Sequence, residues 1–173
     1  MGCVMKIERC LVSVYNKRSM LAFAKGLVEL GIELVASGGT GKALAEQGIP
    51  FRSVESLVNM PQILGGRVKT LHPAIHAGIL ARRDNPKDMA ELKAHDILPI
   101  DMVVCTLYPF ERKVKRPDFP LKEAVEWIDV GGPTMIRAAA KNLDSVTVVV
   151  DPRDYPRVIE QLKENDNSVS DEM

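Results

Sequence analysis

Short runs of β-branched and apolar residues alternate along this chain with longer stretches of helical period, which restricts it to βαβ units wound around a mostly parallel sheet. The runs at residues 11–14, 34–36, 102–106 and 146–150 read as strands, with a shorter one at residues 51–54. Met20, Ala24, Leu27 and Val28 fall on one helical stripe that packs on the sheet, and Gly31 supplies a stop beyond it. The same spacing recurs at Leu121, Ala124, Val125 and Ile128, and again at Tyr155, Val158, Ile159 and Leu162, which read as amphipathic surface helices. Pro133 suits the start of a helix because its missing N–H would be unbonded there, and residues 85–96 form a further helical stretch. One α/β domain over residues 1–164 is expected. The tail at 165–173 has almost nothing to bury and is expected to fray.

Twenty-three basic residues balance twenty-three acidic ones, so no global field exists to hold a nucleic acid or an acidic membrane surface. No apolar stretch approaches the roughly 20 residues that span a bilayer. Cys3, Cys10 and Cys105 are odd in number and widely spaced, which fits a reducing cytosol better than a disulfide framework. The Met-Gly-Cys start continues to Met5 and Lys6, where a myristoylation signal ends in Ser or Thr, and lipidation is set aside. A cytoplasmic protein is expected. His72, His76 and His95 have no companion cysteine and no HExxH spacing, so neither a metal nor a cofactor is implied.

In an open parallel sheet, ligands bind beyond the carboxyl ends of the strands. Two loops there stand out: Tyr15-Asn16-Lys17 after the first strand and Ser37-Gly38-Gly39-Thr40 after the second, each leading into a helix. Glycines admit an anion close to the backbone, and the helix that follows offers unbonded N–H groups, so the second loop can cradle a phosphate. It can equally be a tight strand-to-helix turn, and Lys17 nearby tilts the balance towards phosphate. In LGGRVKTLHP, an extended backbone would send Arg67 and Lys69 to one side beside Thr70. A solvated basic loop is the other reading, and on this segment alone the better one. Thr106 and Tyr108 would emerge from the end of a later strand towards the same crevice. Asp129 precedes two glycines, and Arg137 and Lys141 share a helical face. Asp129 also suits a helix cap, and Lys141 a solvated helix end.

Taken in order and spacing, SVYNK, ASGGTGKAL, LGGRVKTLHPAIHAGILARR, LYPF and IDVGGPTMIRAAAKN closely resemble the IMP cyclohydrolase domain of the bifunctional purine biosynthesis protein. The resemblance runs from about Leu11 to Tyr155. It implies a methylglyoxal-synthase-like fold, three layers α/β/α around a mostly parallel sheet, and a homodimer. It implies a reaction too: the carboxamide nitrogen of the formylated aminoimidazole carboxamide ribonucleotide closes onto the formyl carbon, water leaves, and IMP forms. By position, Tyr15, Asn16, Lys17, Ser37, Gly38, Gly39, Thr40, Arg67, Val68, Lys69 and Thr70 match nucleotide-binding positions. Cys105, Thr106, Asp129 and Val130 match those that hold the base. Lys69, Tyr108, Asp129 and Lys141 match the positions assigned to proton transfer, with Lys141 the general acid or base.

The chain departs from the family pattern at Tyr15-Asn16, where Ser-Asp is common, and at Thr106, where Asn is common. The family's further helices and formyltransferase domain are not expected within these residues, so formyl transfer is not expected of them. Methylglyoxal synthase itself uses an aspartate in a GGDQQ-like segment that is missing here. The alternative function is a non-catalytic nucleotide-binding regulatory domain of the same fold.

Overall fold

The computed structural model describes residues 6–169. Five strands form one sheet: β1 (Arg9–Val14), β2 (Glu33–Ala36), β3 (Arg52–Ser53), β4 (Met102–Thr106) and β5 (Thr147–Val149). Their order across the sheet is β3-β2-β1-β4-β5, and every pairing is parallel. Among the described residues nine α-helices accompany them: α1 (Lys17–Glu29), α2 (Gly38–Glu46), α3 (Val54–Val58), α4 (Pro73–Leu80), α5 (Pro86–Ala94), α6 (Phe110–Lys113), α7 (Leu121–Glu126), α8 (Gly131–Lys141) and α9 (Tyr155–Glu164).

Strand alternation builds two cores, one on each face of the sheet. Cys10, Val12, Leu34, Ala36, Met102 and Val104 turn to one face, where Met20, Phe23 and Leu27 of α1, Leu44 of α2 and Val158 and Leu162 of α9 meet them. Leu11, Val35, Val103 and Cys105 turn to the other, against Ile75 and Ile79 of α4 and Met135, Ala138 and Ala139 of α8. The three-layer α/β/α arrangement follows directly from this period-two sorting.

Several expectations shift. β1 begins two residues early, because Arg9 pairs with Glu33 through both backbone and side chain. Only Arg52–Ser53 pairs in the short third strand, and Val54 already starts α3, capped by Ser53. Pro133 occupies the third position of α8 rather than its first, since Gly131 opens the helix. The stripe on α7 is the larger surprise: Leu121, Val125 and Ile128 stay exposed, and the helix ends at Glu126. No helical spacing in the sequence announces α3, α4 or α6.

The segment from Asn165, read as having little to bury, is held through Val169. The Ile7 N–H donates to the Asn167 carbonyl at 2.7 Å, Asn167 Nδ2 donates to the Leu30 carbonyl at 2.9 Å, and Ser168 is buried. These bonds, one between backbones and one from an asparagine amide, need no large apolar side chain, which is why composition does not show them. Residues 170–173 lie outside the described residues. Among the described residues no helix is long and apolar enough to cross a membrane.

Candidate active site

The sheet order reverses at β1, whose neighbours β2 and β4 lead away in opposite directions, and a crevice opens where their following loops part. A cavity of about 730 Å³ lies there, a volume that suits a nucleotide-sized ligand. Tyr15, Lys17, Ser37, Gly39, Thr40, Arg67, Lys69, Thr70, Thr106, Tyr108, Asp129 and Val130 all line it. Loops separated by more than a hundred residues thus converge on one volume.

One wall is cationic. α2 begins at Gly38 with no acidic residue in its first turn, and Ser37 at its N-cap makes no side-chain bond to the helix amides. Those N–H groups and the helix dipole therefore face the cavity unneutralised. A Cβ on Gly39 would lie 3.7 Å from Lys17 Nζ, and one on Gly38 only 2.9 Å from Lys69 Nζ, so both ammonium groups reach this turn. Gly38 also has φ of +53°, and a Cβ on Gly66, at φ +87°, would lie 2.5 Å from Lys69 Cε. Lys69 threads between these two glycines because neither has a side chain. Lys17 donates to the carbonyls of Val14 at 2.8 Å and Tyr15 at 3.0 Å. Burial, and then the Lys69 charge, pull the Lys17 ammonium below its ordinary value. Among the described residues no carboxylate pairs with either lysine. Two cations and a helix N-terminus at one spot are a cradle for an anion.

The opposite wall carries Tyr108 and Asp129. Tyr108 stands edge-on between Tyr15, at a centroid distance of 5.3 Å, and Trp127, at 6.0 Å. Asp129 Oδ1 accepts the Gly132 N–H at 2.9 Å, so the cap expected from the sequence is made, and the residue still lines the cavity.

Other expected residues do different work. Asn16 caps α1 by accepting the Arg18 N–H at 3.1 Å, the role an Asp would fill at that position. The Thr40 hydroxyl is buried against Val14, accepting its N–H at 3.2 Å, and so anchors the glycine turn to β1. Thr106 Oγ1 accepts the Tyr15 N–H at 2.9 Å. Val68 sits in an isolated bridge with Ile63, and residues 64–66 form a 3-10 turn, so Arg67 and Lys69 do not project from an extended strand. Arg67 instead pairs with Glu126.

Lys141 is not brought to the cavity. It is the last residue of α8, exposed, and about 15 Å along the helix from Gly131 at 1.5 Å per residue. Its neighbour Asn142 is pinned to the carbonyls of Ile79 and Ala81 at the far end of α4, which fixes that end of α8 away from the crevice. Cys105 also lies outside, 1% exposed, its thiol in the core with Met135.

Burial, then the Asp129 charge, push the Cys105 thiol up to about 12. A thiol reagent at pH 8 is expected to label Cys105 only after the chain unfolds, as read by peptide mapping; prompt native labelling would contradict the burial. Keeping the thiol neutral also contributes to stability. An unfolded thiol ionises near about 8.5, so the contribution is complete below that pH and is lost as pH rises towards about 12.

Glu126, Trp127 and Gly66 line the cavity without having been singled out from sequence. Their signal was adjacency: the first two directly precede IDVGG, and Gly66 precedes the basic pair.

An MGS-like domain model matches residues 19–134. The bifunctional purine biosynthesis protein PurH of Anoxybacillus flavithermus is 55% identical over 157 residues, covering 91% of this chain and 31% of that protein. PurH of Chloroflexus aurantiacus is 51% identical over 166 residues, covering 96% and 32%. The chain spans about a third of the length of these relatives. The crystal structure of ForH is 35% identical with a TM-score of 0.78, covering 91% of this chain and 80% of that one. Sheet order, cavity position and sequence agree: the chain belongs to the MGS-like domain family, and over most of its length it is a homologue of one third of PurH.

Proposed function

We propose that this chain is an IMP cyclohydrolase, closing the second purine ring in the last step of IMP synthesis. The observation that carries the reading is the placement of the anion cradle of Lys17 and the α2 N-terminus in the same cavity as Lys69, Tyr108 and Asp129. A phosphate on the cradle leaves the rest of a nucleotide within the cavity, where these polar groups stand.

The chemistry asks for both kinds of group. An amide nitrogen is a poor nucleophile, so it must lose a proton while negative charge develops on the formyl oxygen. Asp129 is the acceptor in this set and takes the carboxamide proton. Lys69 and Tyr108 are donors and face the oxygen. The nitrogen bonds to the formyl carbon and the oxygen takes a first proton; a second proton on the resulting hydroxyl, matched by loss of the formamide N–H, breaks the C–O bond, releases water and leaves a C=N bond in the closed ring. Lys141, at the other end of α8, is left out of the proton path. No cofactor enters the scheme.

The assembly proposed is a cytoplasmic homodimer, to which the exposed Leu121, Val125 and Ile128 offer a surface for a second copy to cover. The reaction is tested by the rate of IMP formation from the formylated ribonucleotide, with and without the chain. The expected result is a rate well above the protein-free control. IMP binding without any acceleration would sink this reading and make the chain a nucleotide-binding regulatory domain.

A further inference from the structure

Three cationic side chains line the cavity, and one of them is already occupied. Arg67 Nη2 donates to Glu126 Oε1, joining the segment after the 3-10 turn to the end of α7. Both residues line the cavity, and both side chains remain more than half exposed, at 64% and 58%. The turn that carries Arg67 is itself held in a costly shape, since Leu64 has φ of +54°. The other lining carboxylate, Asp129, is engaged by a backbone amide rather than by a cation. An anionic ligand entering on the side of Lys17 and Lys69 therefore meets a third cation that a fixed carboxylate is holding.

We propose that Glu126 is an affinity-setting residue: its carboxylate holds Arg67 while the cavity is empty and yields it to the phosphate of the incoming nucleotide. An exposed ion pair is weak and readily exchanged, whereas a guanidinium presents a fork that matches a phosphate bidentately. The exchange is thus open to a phosphate and closed to a neutral ligand. Glu126 lowers the affinity of the empty site and eases release of a charged product, since the carboxylate stands ready to retake Arg67. This inference rests on the reading of the cavity as a nucleotide site and deepens it.

The test is isothermal titration calorimetry of the parent chain, Glu126→Gln, Arg67→Met and the double variant, each with inorganic phosphate, IMP and inosine. Glu126→Gln is expected to bind phosphate and IMP about two- to fivefold more tightly, given what an exposed pair contributes. Inosine affinity is expected to stay unchanged. In the Arg67→Met background the gain is expected to shrink below about twofold, because the two positions then no longer act on each other. Unchanged or weakened phosphate and IMP binding in Glu126→Gln would overturn the proposal. So would a gain that persists without Arg67, or one that appears equally for inosine. None of these titrations depends on turnover. A chain that makes no IMP yet shows the expected pattern refutes the cyclohydrolase and leaves the exchange at Glu126 standing.

Discussion

Replacing Lys69 with Ala lowers the rate of IMP formation by about 100-fold or more, the loss seen when one donor to a developing oxyanion is removed. The side chain runs between Gly66 and Gly38 to the turn that opens α2. Lys141→Ala is the contrasting variant. Its position at the solvent end of α8 predicts a rate within about threefold of the parent, the scale of an ordinary surface substitution. Steady-state assays of both variants against a protein-free control decide the matter. A large loss in Lys141→Ala with little loss in Lys69→Ala would remove the proton-transfer assignment made from the cavity.

The largest effect on stability is expected far from the cavity, at Asp101. This carboxylate is buried beneath the amino ends of β1 and β4. Its Oδ2 accepts the N–H groups of Glu8 at 3.1 Å and Arg9 at 3.0 Å, and its Oδ1 lies 3.5 Å from Arg83 Nη2. The two side chains are 9% and 8% exposed, and Arg83 is further fixed by the carbonyls of Gly78 and Ile100. Asp101→Ala leaves a buried guanidinium and two backbone donors without their acceptor. The expected cost is about 3–5 kcal/mol, a large part of the roughly 5–15 kcal/mol that holds a domain together. Asp101→Asn keeps one acceptor oxygen and the shape, so its cost falls between. Urea unfolding followed by circular dichroism measures both. A loss below about 1 kcal/mol in Asp101→Ala, the value of an exposed pair, would show that Arg83 finds other partners.

How legible all this was in the sequence differs from element to element. The central strands announced themselves because both of their faces are covered, which leaves Leu11 to Val14 and Met102 to Thr106 almost free of charge. The glycine turn and its lysine could be read as an anion site because backbone access and a helix start are local properties. The outcome at α7 was not legible. Its apolar spacing is that of a helix packed on a core, yet Leu121 is 78% exposed, since spacing says that a face exists and not what covers it. The same limit applies to Arg67. Its charge was visible, but its partner Glu126 lies fifty-nine positions away, and no local pattern couples the two. Nothing local tells where Lys141 ends up either; only the helix length and the tether at Asn142 place it at the far end of α8.

The order of strands across the sheet has a consequence for synthesis. β1, β2 and β3 lie together at one side and are complete once Ser53 has left the ribosome, whereas β4, the other neighbour of β1, follows about fifty residues later. During that interval the nascent chain presents the free edge of β1, a row of unpaired backbone groups that invites pairing with another chain. The cavity straddles this same seam, with its cation wall translated early and Tyr108 and Asp129 late. Docking of β4 therefore closes the edge and opens the way for the opposite wall, which Asp129 completes only when the segment before α8 follows.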